Sequence, residues 1–327
     1  MKNVFSRLAG ALSLAALFVA TSPALAGPTY SNMVVFGDSL SDTGNLSIVT
    51  GGTQPPAGQP YFNGRFSDGP LWVETLAAGL NLPLASNPYL VGGSNYAFAG
   101  ARTGTSSAPP GLLAQVGGIW GPTHPLADPA ALYVVVAGGN DLRDARSAPS
   151  GTSATRQLAA QAAATNVFNS VALLAARGAT HVLIANLPDL GATPEAALLG
   201  LTVESTDATV RFNALIGAFE ATLEALFPGL DVDMLDMFGL GAAIRNDALN
   251  NGGATYGITN VTSPCAGFLF SSGAACNVSL FSDALHPSAR AHALLGAAAL
   301  ALVVPEPASL ALVVLALTGL VVVRRRA

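Results

Sequence analysis

Short uninterrupted apolar runs alternate along this chain with longer stretches in which apolar positions recur at helical spacing. Residues 33–36 form the first such run and end at Gly37-Asp38, the pattern of a buried strand feeding a turn. Residues 132–137 repeat it before Gly138-Gly139, and residues 181–185 repeat it before Asn186-Leu187-Pro188. Residues 232–235 make a fourth run. Helical patterns fall between and after them. The first covers 70–80, with Ser67 or Asp68 near its cap and Pro70 early. The others cover 154–177, closed by Gly178; 208–227, stopped by Pro228-Gly229; and 288–303, led by Pro287. Apolar strands separated by helices predict an α/β fold with a central parallel sheet covered on both faces. Residues 48–64 and 239–282 are rich in Gly, Pro, Asn and Ser and fit neither period, so they read as long functional or mobile loops.

The two ends carry a different pattern. Residues 1–26 have a charged start (Lys2, Arg7), an apolar run and then Ala24-Leu25-Ala26, the layout of a secretory signal peptide cleaved after Ala26. Residues 308–323 hold no charge and are followed by Arg324-Arg325-Arg326. At ~1.5 Å per residue this run spans ~24 Å, a short membrane span. Pro305-Glu306-Pro307 stands just before it and cannot continue a helix. The arginine cluster would stay cytoplasmic, which leaves the domain outside. The expected organisation is therefore a signal peptide over 1–26, one domain over 27–303 and a tail over 304–327.

Composition then narrows the function. The whole chain is 51% hydrophobic and 10% charged, so much of its apolar excess sits in the two terminal signals. The domain between them keeps 9 basic and 18 acidic residues. That balance argues against nucleic acid, other polyanions and anionic headgroups as partners. Two cysteines are too few for a disulfide scaffold or a Cys-based zinc module. Cys265 and Cys276, with ten residues between them, are expected to pair in an exported protein.

Sites in a parallel sheet form at the carboxyl ends of its strands. Ser39 follows the first strand and is a candidate nucleophile. It is not in a G-x-S-x-G elbow, because Ser41 occupies the place of the second glycine. A serine hydroxyl needs a base. Of the four histidines, His181 begins a strand, His124 lies in a proline-flanked loop, and His292 sits in the final helix. His286 lies three residues after Asp283, within one turn, where the acid either orients the ring or caps the helix. Gly138-Gly139-Asn140-Asp141 ends the second strand. The Asn140 amide can face the same crevice there, and Asp141 can hold it. Gly100, after a strand expected at 95–99, offers a backbone N–H; Gly92 and Gly93 are alternatives.

In their order these blocks resemble the GDSL, or SGNH, hydrolases. Val35-Phe36-Gly37-Asp38-Ser39-Leu40-Ser41-Asp42 looks like the first block, residues 95–101 like the second, Gly138-Gly139-Asn140-Asp141 like the third and Asp283-Ala284-Leu285-His286-Pro287 like the last. Residues 63–72 (Asn-Gly-Arg-Phe-Ser-Asp-Gly-Pro-Leu-Trp) and 186–191 are similar to the lipase and esterase branch. The resemblance implies a flavodoxin-like three-layer sandwich and ester hydrolysis without metal or cofactor. It implies Ser39 as nucleophile, His286 as base and Asp283 as the acid that orients it. It implies an oxyanion hole of Ser39 N–H, Gly100 N–H and the Asn140 side chain, with Asp38 as a hydrogen-bond organiser. The tail resembles a PEP-CTERM sorting signal, which implies a membrane protease of exosortase type as partner and a cell-surface or matrix destination; the other reading is a plain anchor. Three functions follow as expectations: an esterase or lipase on lipid-like esters, an O-acetyl esterase on surface polysaccharide, or a non-catalytic binding protein.

Overall fold

Four five-residue strands lie side by side and parallel in the order β1 (Met33–Gly37), β2 (Leu132–Val136), β3 (His181–Ala185), β4 (Asp231–Leu235). The structure, a computed structural model, describes residues 29–56, 59–147, 151–268 and 270–304. The expected signal peptide and the tail from Pro305 onward lie outside the described residues. Every residue of β1 and β2 is buried, as the uninterrupted apolar runs require.

The helices, in chain order, are α1 (Asn45–Val49), α2 (Trp72–Gly79), α3 (Gly139–Ser147), α4 (Ser153–Ala176), α5 (Pro194–Leu199), α6 (Thr202–Ile216), α7 (Phe219–Leu226), α8 (Met237–Asn251) and α9 (Ala289–Val303). Alternate strand residues Val34, Phe36, Tyr133, Val135, Val182 and Ile184 share one buried cluster with Val171 and Leu174 of α4 and Phe212 and Ile216 of α6. The opposite parity, Met33, Val35, Leu132, Val134 and Leu183, is buried too, so both sheet faces are covered. This is the three-layer α/β sandwich expected from the chain.

Several expectations are corrected. Residues 95–99 are not a strand, although they run beside β1: Tyr96 N–H donates to Val35 O (2.7 Å) and Phe98 N–H to Gly37 O (3.1 Å). Asn95 alone bridges to β1, at Val35; on the other side it bridges to Pro88, and the Asn45 amide donates to Asn95 O (2.8 Å) and Ala97 O (2.9 Å). Counting this segment, the order follows the flavodoxin-like 2-1-3-4-5 pattern, whose switch point is flanked by the carboxyl ends of β1 and β2. The helix expected over 208–227 is two helices, α6 and α7, broken at Gly217-Ala218, where glycine has poor helix propensity. Residues 239–282 are not one loop. They hold most of α8 and a short pair, β5 (Asn260–Pro264) and β6 (Ser279–Phe281). Ile244, Ile258, Val261, Leu280 and Phe281 form a small second core there with Ala291. Finally, Ser67 and Asp68 do not cap α2. Glu74 accepts from Leu71 N–H (2.8 Å) at that end.

β1 and β2 meet closely where the site begins. A Cβ on Gly37 would lie 2.3 Å from Val136 O, which belongs to the backbone of the paired strand and cannot swing away. Gly37→Ala is therefore expected to cost about 2 kcal/mol or more, as overpacking of a rigid site does. Urea denaturation of the two proteins measures it; equal stability would show that the strands separate freely here.

Candidate active site

The site is built from the ends of β1 and β2 and the corner between β6 and α9. After β1 the chain turns at once: Ser41 and Asp42 N–H both donate to Asp38 O (3.0 Å each), and Leu40 N–H donates to Asp38 Oδ1 (3.0 Å). This turn holds Ser39 over the strand end. Gln115 fixes the last strand residue from both sides, accepting from Gly37 N–H and donating to Gly37 O, each at 2.8 Å. Asp42 accepts from the N–H groups of Gly44, Asn45 and Leu46, and also from Ala99 N–H (2.8 Å), so one carboxylate ties the first block to the second.

The second part arrives from 247 residues away. His286 Nε2 lies 2.9 Å from Ser39 Oγ, and His286 Nδ1 lies 2.7 Å from Asp283 Oδ2. Asp283 Oδ1 accepts from the N–H groups of Leu285 (2.8 Å) and His286 (2.6 Å). Burial pushes the Asp283 carboxyl up, but the His286 charge and these hydrogen bonds outweigh it and hold it well below the usual carboxylate range. An ionised carboxylate only accepts, so Nδ1 carries a proton, and in the neutral ring Nε2 faces Ser39 as an acceptor. The structure thus brings Ser39, His286 and Asp283 together, with Ser39 and His286 each only 9% exposed.

Residues 63–69 brace this corner. Ser67 Oγ donates to Pro287 O (3.0 Å), Asp68 Oδ1 accepts from Ala289 N–H (2.9 Å) at the start of α9, and the Phe66 ring lies 5.1 Å from the His286 ring. His292 is buried, accepts from Trp72 N–H (3.3 Å) and is pushed down to about 3, by burial first and by His286 second. His124 stacks on Trp120 (4.9 Å), and His181 Nδ1 faces Asp231 at 3.6 Å. None of these three reaches Ser39.

Asn140, at the start of α3, lines the same crevice as Ser39 and His286. Its Nδ2 donates to Ala101 O (2.9 Å), which leaves the second amide hydrogen for a ligand. Arg143, one turn on, donates to Asn140 Oδ1 (3.2 Å) and thereby fixes which end of the amide points where. Arg143 and Arg146 both grip Glu195. Asp141 accepts from Thr103 N–H (3.0 Å) and Oγ1 (2.8 Å), so it anchors the 99–103 turn rather than the Asn140 amide, and burial pushes it up. Gly100 sits in that turn with φ of 80°. The Ser39 and Gly100 N–H groups make no hydrogen bond among the described residues. Gly100 is not part of the crevice wall, and Gly92 lies in a separate turn with φ of 88°.

Beside Ser39 the crevice opens to solvent. Leu190, Met237, Phe238, Ile244, Phe281 and Leu285 line it. Its cations are engaged: Arg143 with Glu195, and Arg245 with the carbonyls of Ala192 (3.3 Å) and Val261 (2.9 Å). Cys265 and Cys276 are joined in a disulfide, so the cluster they form with Asp68 cannot hold a metal through thiolates.

A hydroxyl, an imidazole and a carboxylate in one hydrogen-bonded line, at the carboxyl edge of a parallel sheet, are the arrangement that a serine hydrolase requires. Residues 33–299 match the GDSL-like Lipase/Acylhydrolase family, and the chain belongs to it. It is 29% identical over 245 residues to an uncharacterized protein in the trpE-trpG intergenic region of Pseudomonas putida, covering 69% of this chain and 39% of that one. It is 32% identical over 196 residues to Lipase 1 of Photorhabdus luminescens, covering 60% of this chain and 27% of that one. The chain therefore spans well under two thirds of these relatives' length. Among solved structures, it is similar to a lipolytic G-D-S-L family member from Veillonella parvula (TM-score 0.44, 14% identity, 82% of this chain and 96% of that one). It is also similar to a carbohydrate acetylesterase from Sinorhizobium meliloti (TM-score 0.43, 15% identity, 82% and 96%).

Asp38 gives a test of site electrostatics. Burial pushes its carboxyl from 3.8 up to about 6, against the Leu40 N–H and the nearby His286. A raised acid contributes stability below pH 3.8 that is lost as pH climbs through 6, roughly 3 kcal/mol if fully expressed. Asp38→Asn keeps the oxygen that Leu40 uses and is expected to gain stability over the parent at pH 7 but not at pH 3.5. Denaturation at the two pH values checks this; an equal difference at both would place the charge elsewhere.

Proposed function

We propose that this chain is an exported ester hydrolase that works through an acyl-enzyme on Ser39, with lipid-like acyl esters as substrates. The observation that carries the reading is the continuous line Ser39 Oγ–His286 Nε2, His286 Nδ1–Asp283 Oδ2 at 2.9 and 2.7 Å. As Ser39 Oγ attacks the ester carbonyl, its proton passes to Nε2, and Asp283 stabilises the imidazolium. The carbonyl oxygen becomes an oxyanion held by Ser39 N–H, Gly100 N–H and the free hydrogen of Asn140 Nδ2. The imidazolium then gives its proton to the leaving alkoxide. Water, deprotonated by His286, attacks the acyl-Ser39 ester; the C–Oγ bond breaks, the imidazolium returns its proton to Ser39 Oγ, and the acid is released. Asp38 organises the nucleophile turn, and Asp141 organises the turn that carries Gly100.

The apolar crevice supports lipid-like esters over acetylated polysaccharide, since an acetyl group would leave most of that wall without a partner. Export is supported by the three-part leader in the sequence and by a disulfide, a bond that persists in oxidising compartments. The Pro-Glu-Pro segment, the short span and the arginine cluster support sorting by a membrane protease of exosortase type.

Ser39→Ala is expected to lower turnover of an activated ester by ~10³-fold or more, and Asn140→Ala by ~10²–10³-fold. A folded Ser39→Ala chain near the parental rate would remove the nucleophile, and a loss under threefold at Asn140 would remove it from the oxyanion hole. Across nitrophenyl esters, kcat/KM is expected to climb from acetate to medium-chain acyl groups. A maximum at acetate, together with acetate release from acetylated polysaccharide, would favour the carbohydrate reading.

A further inference from the structure

Tyr61 lies in the segment that matched no regular pattern, yet its hydroxyl donates to Asp283 Oδ2 at 2.8 Å across 222 residues of sequence. That oxygen is also the one on which His286 Nδ1 rests. The Asp283 carboxylate therefore takes four donors: two backbone N–H groups on Oδ1, and the His286 ring and Tyr61 on Oδ2. Backbone donors alone fix one oxygen. Tyr61 shares the other with the imidazole, and this extra hydrogen bond resists rotation of the carboxyl plane away from the ring. Its donation also lowers the energy of the anion, which keeps the ring proton on His286 rather than on the acid.

The phenol is itself held in place. Its ring packs edge-on against Phe268 (5.1 Å) and tilted against Phe66 (5.5 Å), and Phe66 in turn contacts the His286 ring. Phe268 belongs to the loop closed by the Cys265–Cys276 disulfide. Cys265 N–H is anchored to Phe281 O (3.0 Å), two residues before Asp283. Gly267 also faces this segment: a Cβ there would lie 3.2 Å from Pro60 Cγ. The disulfide loop and the Tyr61 segment thus press on each other directly beside the acid.

We propose that Tyr61 is a positioning residue of the hydrolytic machinery, holding Asp283 Oδ2 in line with His286, and that the Cys265–Cys276 loop clamps it there through Phe268. This rests on the serine-hydrolase reading above. Asp283 and the buried Asp38 are the acids that act on His286; His292 reaches it from α9, and Arg143 acts on Asp38 from α3.

Tyr61→Phe keeps the ring and removes only the donor. In the full chain it is expected to lower kcat on a nitrophenyl ester roughly tenfold, the rate equivalent of one charge-assisted hydrogen bond, with KM within twofold. The acid limb of kcat/KM is expected to move to higher pH by about half a unit, because a carboxylate with one donor fewer holds the imidazolium more tightly. A Tyr61 that serves packing alone would leave both readouts at parental values, and that result overturns the proposal. Removing the disulfide by Cys265→Ala with Cys276→Ala is expected to lower kcat in the parent and to add little on the Tyr61→Phe background. Full additivity, with circular dichroism showing both chains folded, would overturn the clamp. Fluorophosphonate labelling at Ser39 separates the layers. A parent chain that labels while Tyr61→Phe matches it in kcat and acid limb sinks only this inference. A parent chain that does not label sinks the hydrolase reading, and this one with it.

Discussion

A single hydrogen bond, from a hydroxyl at the end of the first strand to an imidazole at the start of the last helix, is the contact around which the rest is arranged. Neither partner is positioned by its sequence neighbours alone. Ser39 stands where it does because β1 is buried on both faces and its last residue is gripped by Gln115. His286 stands where it does because Ser282 N–H donates to His286 O, Ser67 holds Pro287 O, and Asp68 caps α9. A shift of one ångström in either support would break a bond that spans 2.9 Å.

The polar residues of the first block divide between the crevice and the architecture around it. Ser39 faces the crevice. Asp42 and Asn45, a few residues on, turn inward and satisfy the backbone of residues 95–99. They fill the role of a missing strand partner, which explains why a run of irregular chain can lie buried beside β1 without orphaned amides. Asp42 keeps its charge environment tolerable through four backbone donors, although burial pushes it up.

Much of this was legible in the chain because the relevant signals are local. The four strands are short apolar runs, and the Asp283–His286 pair sits within a single turn. What could not be read depends on contacts between remote segments. Tyr61, Gln115 and Arg143 look ordinary in the sequence; each acquires its role only when folding sets it against Asp283, Gly37 or Asn140. Asp68 misled for a related reason: it stands four residues before α2 but spends its carboxylate on α9, 221 residues away. Residues 239–282 misled by composition. Their apolar residues are too sparse to show a period, yet enough of them converge to make a small core with α9.

Glu195 holds Arg143, which orients the Asn140 amide, while its own backbone N–H donates to Ala284 O (2.7 Å) inside the Asp283–His286 turn. The amide and the imidazole therefore share one brace. The crevice wall contributed by α8 meets the segment before Glu195 through Arg245, which donates to Ala192 O (3.3 Å). Phe238, half-buried on that wall, could be exchanged to recut the chamber for other ligands while that brace stayed where it is. Selectivity and reactivity are in this sense drafted on separate sheets, and a lineage could redraw one without erasing the other.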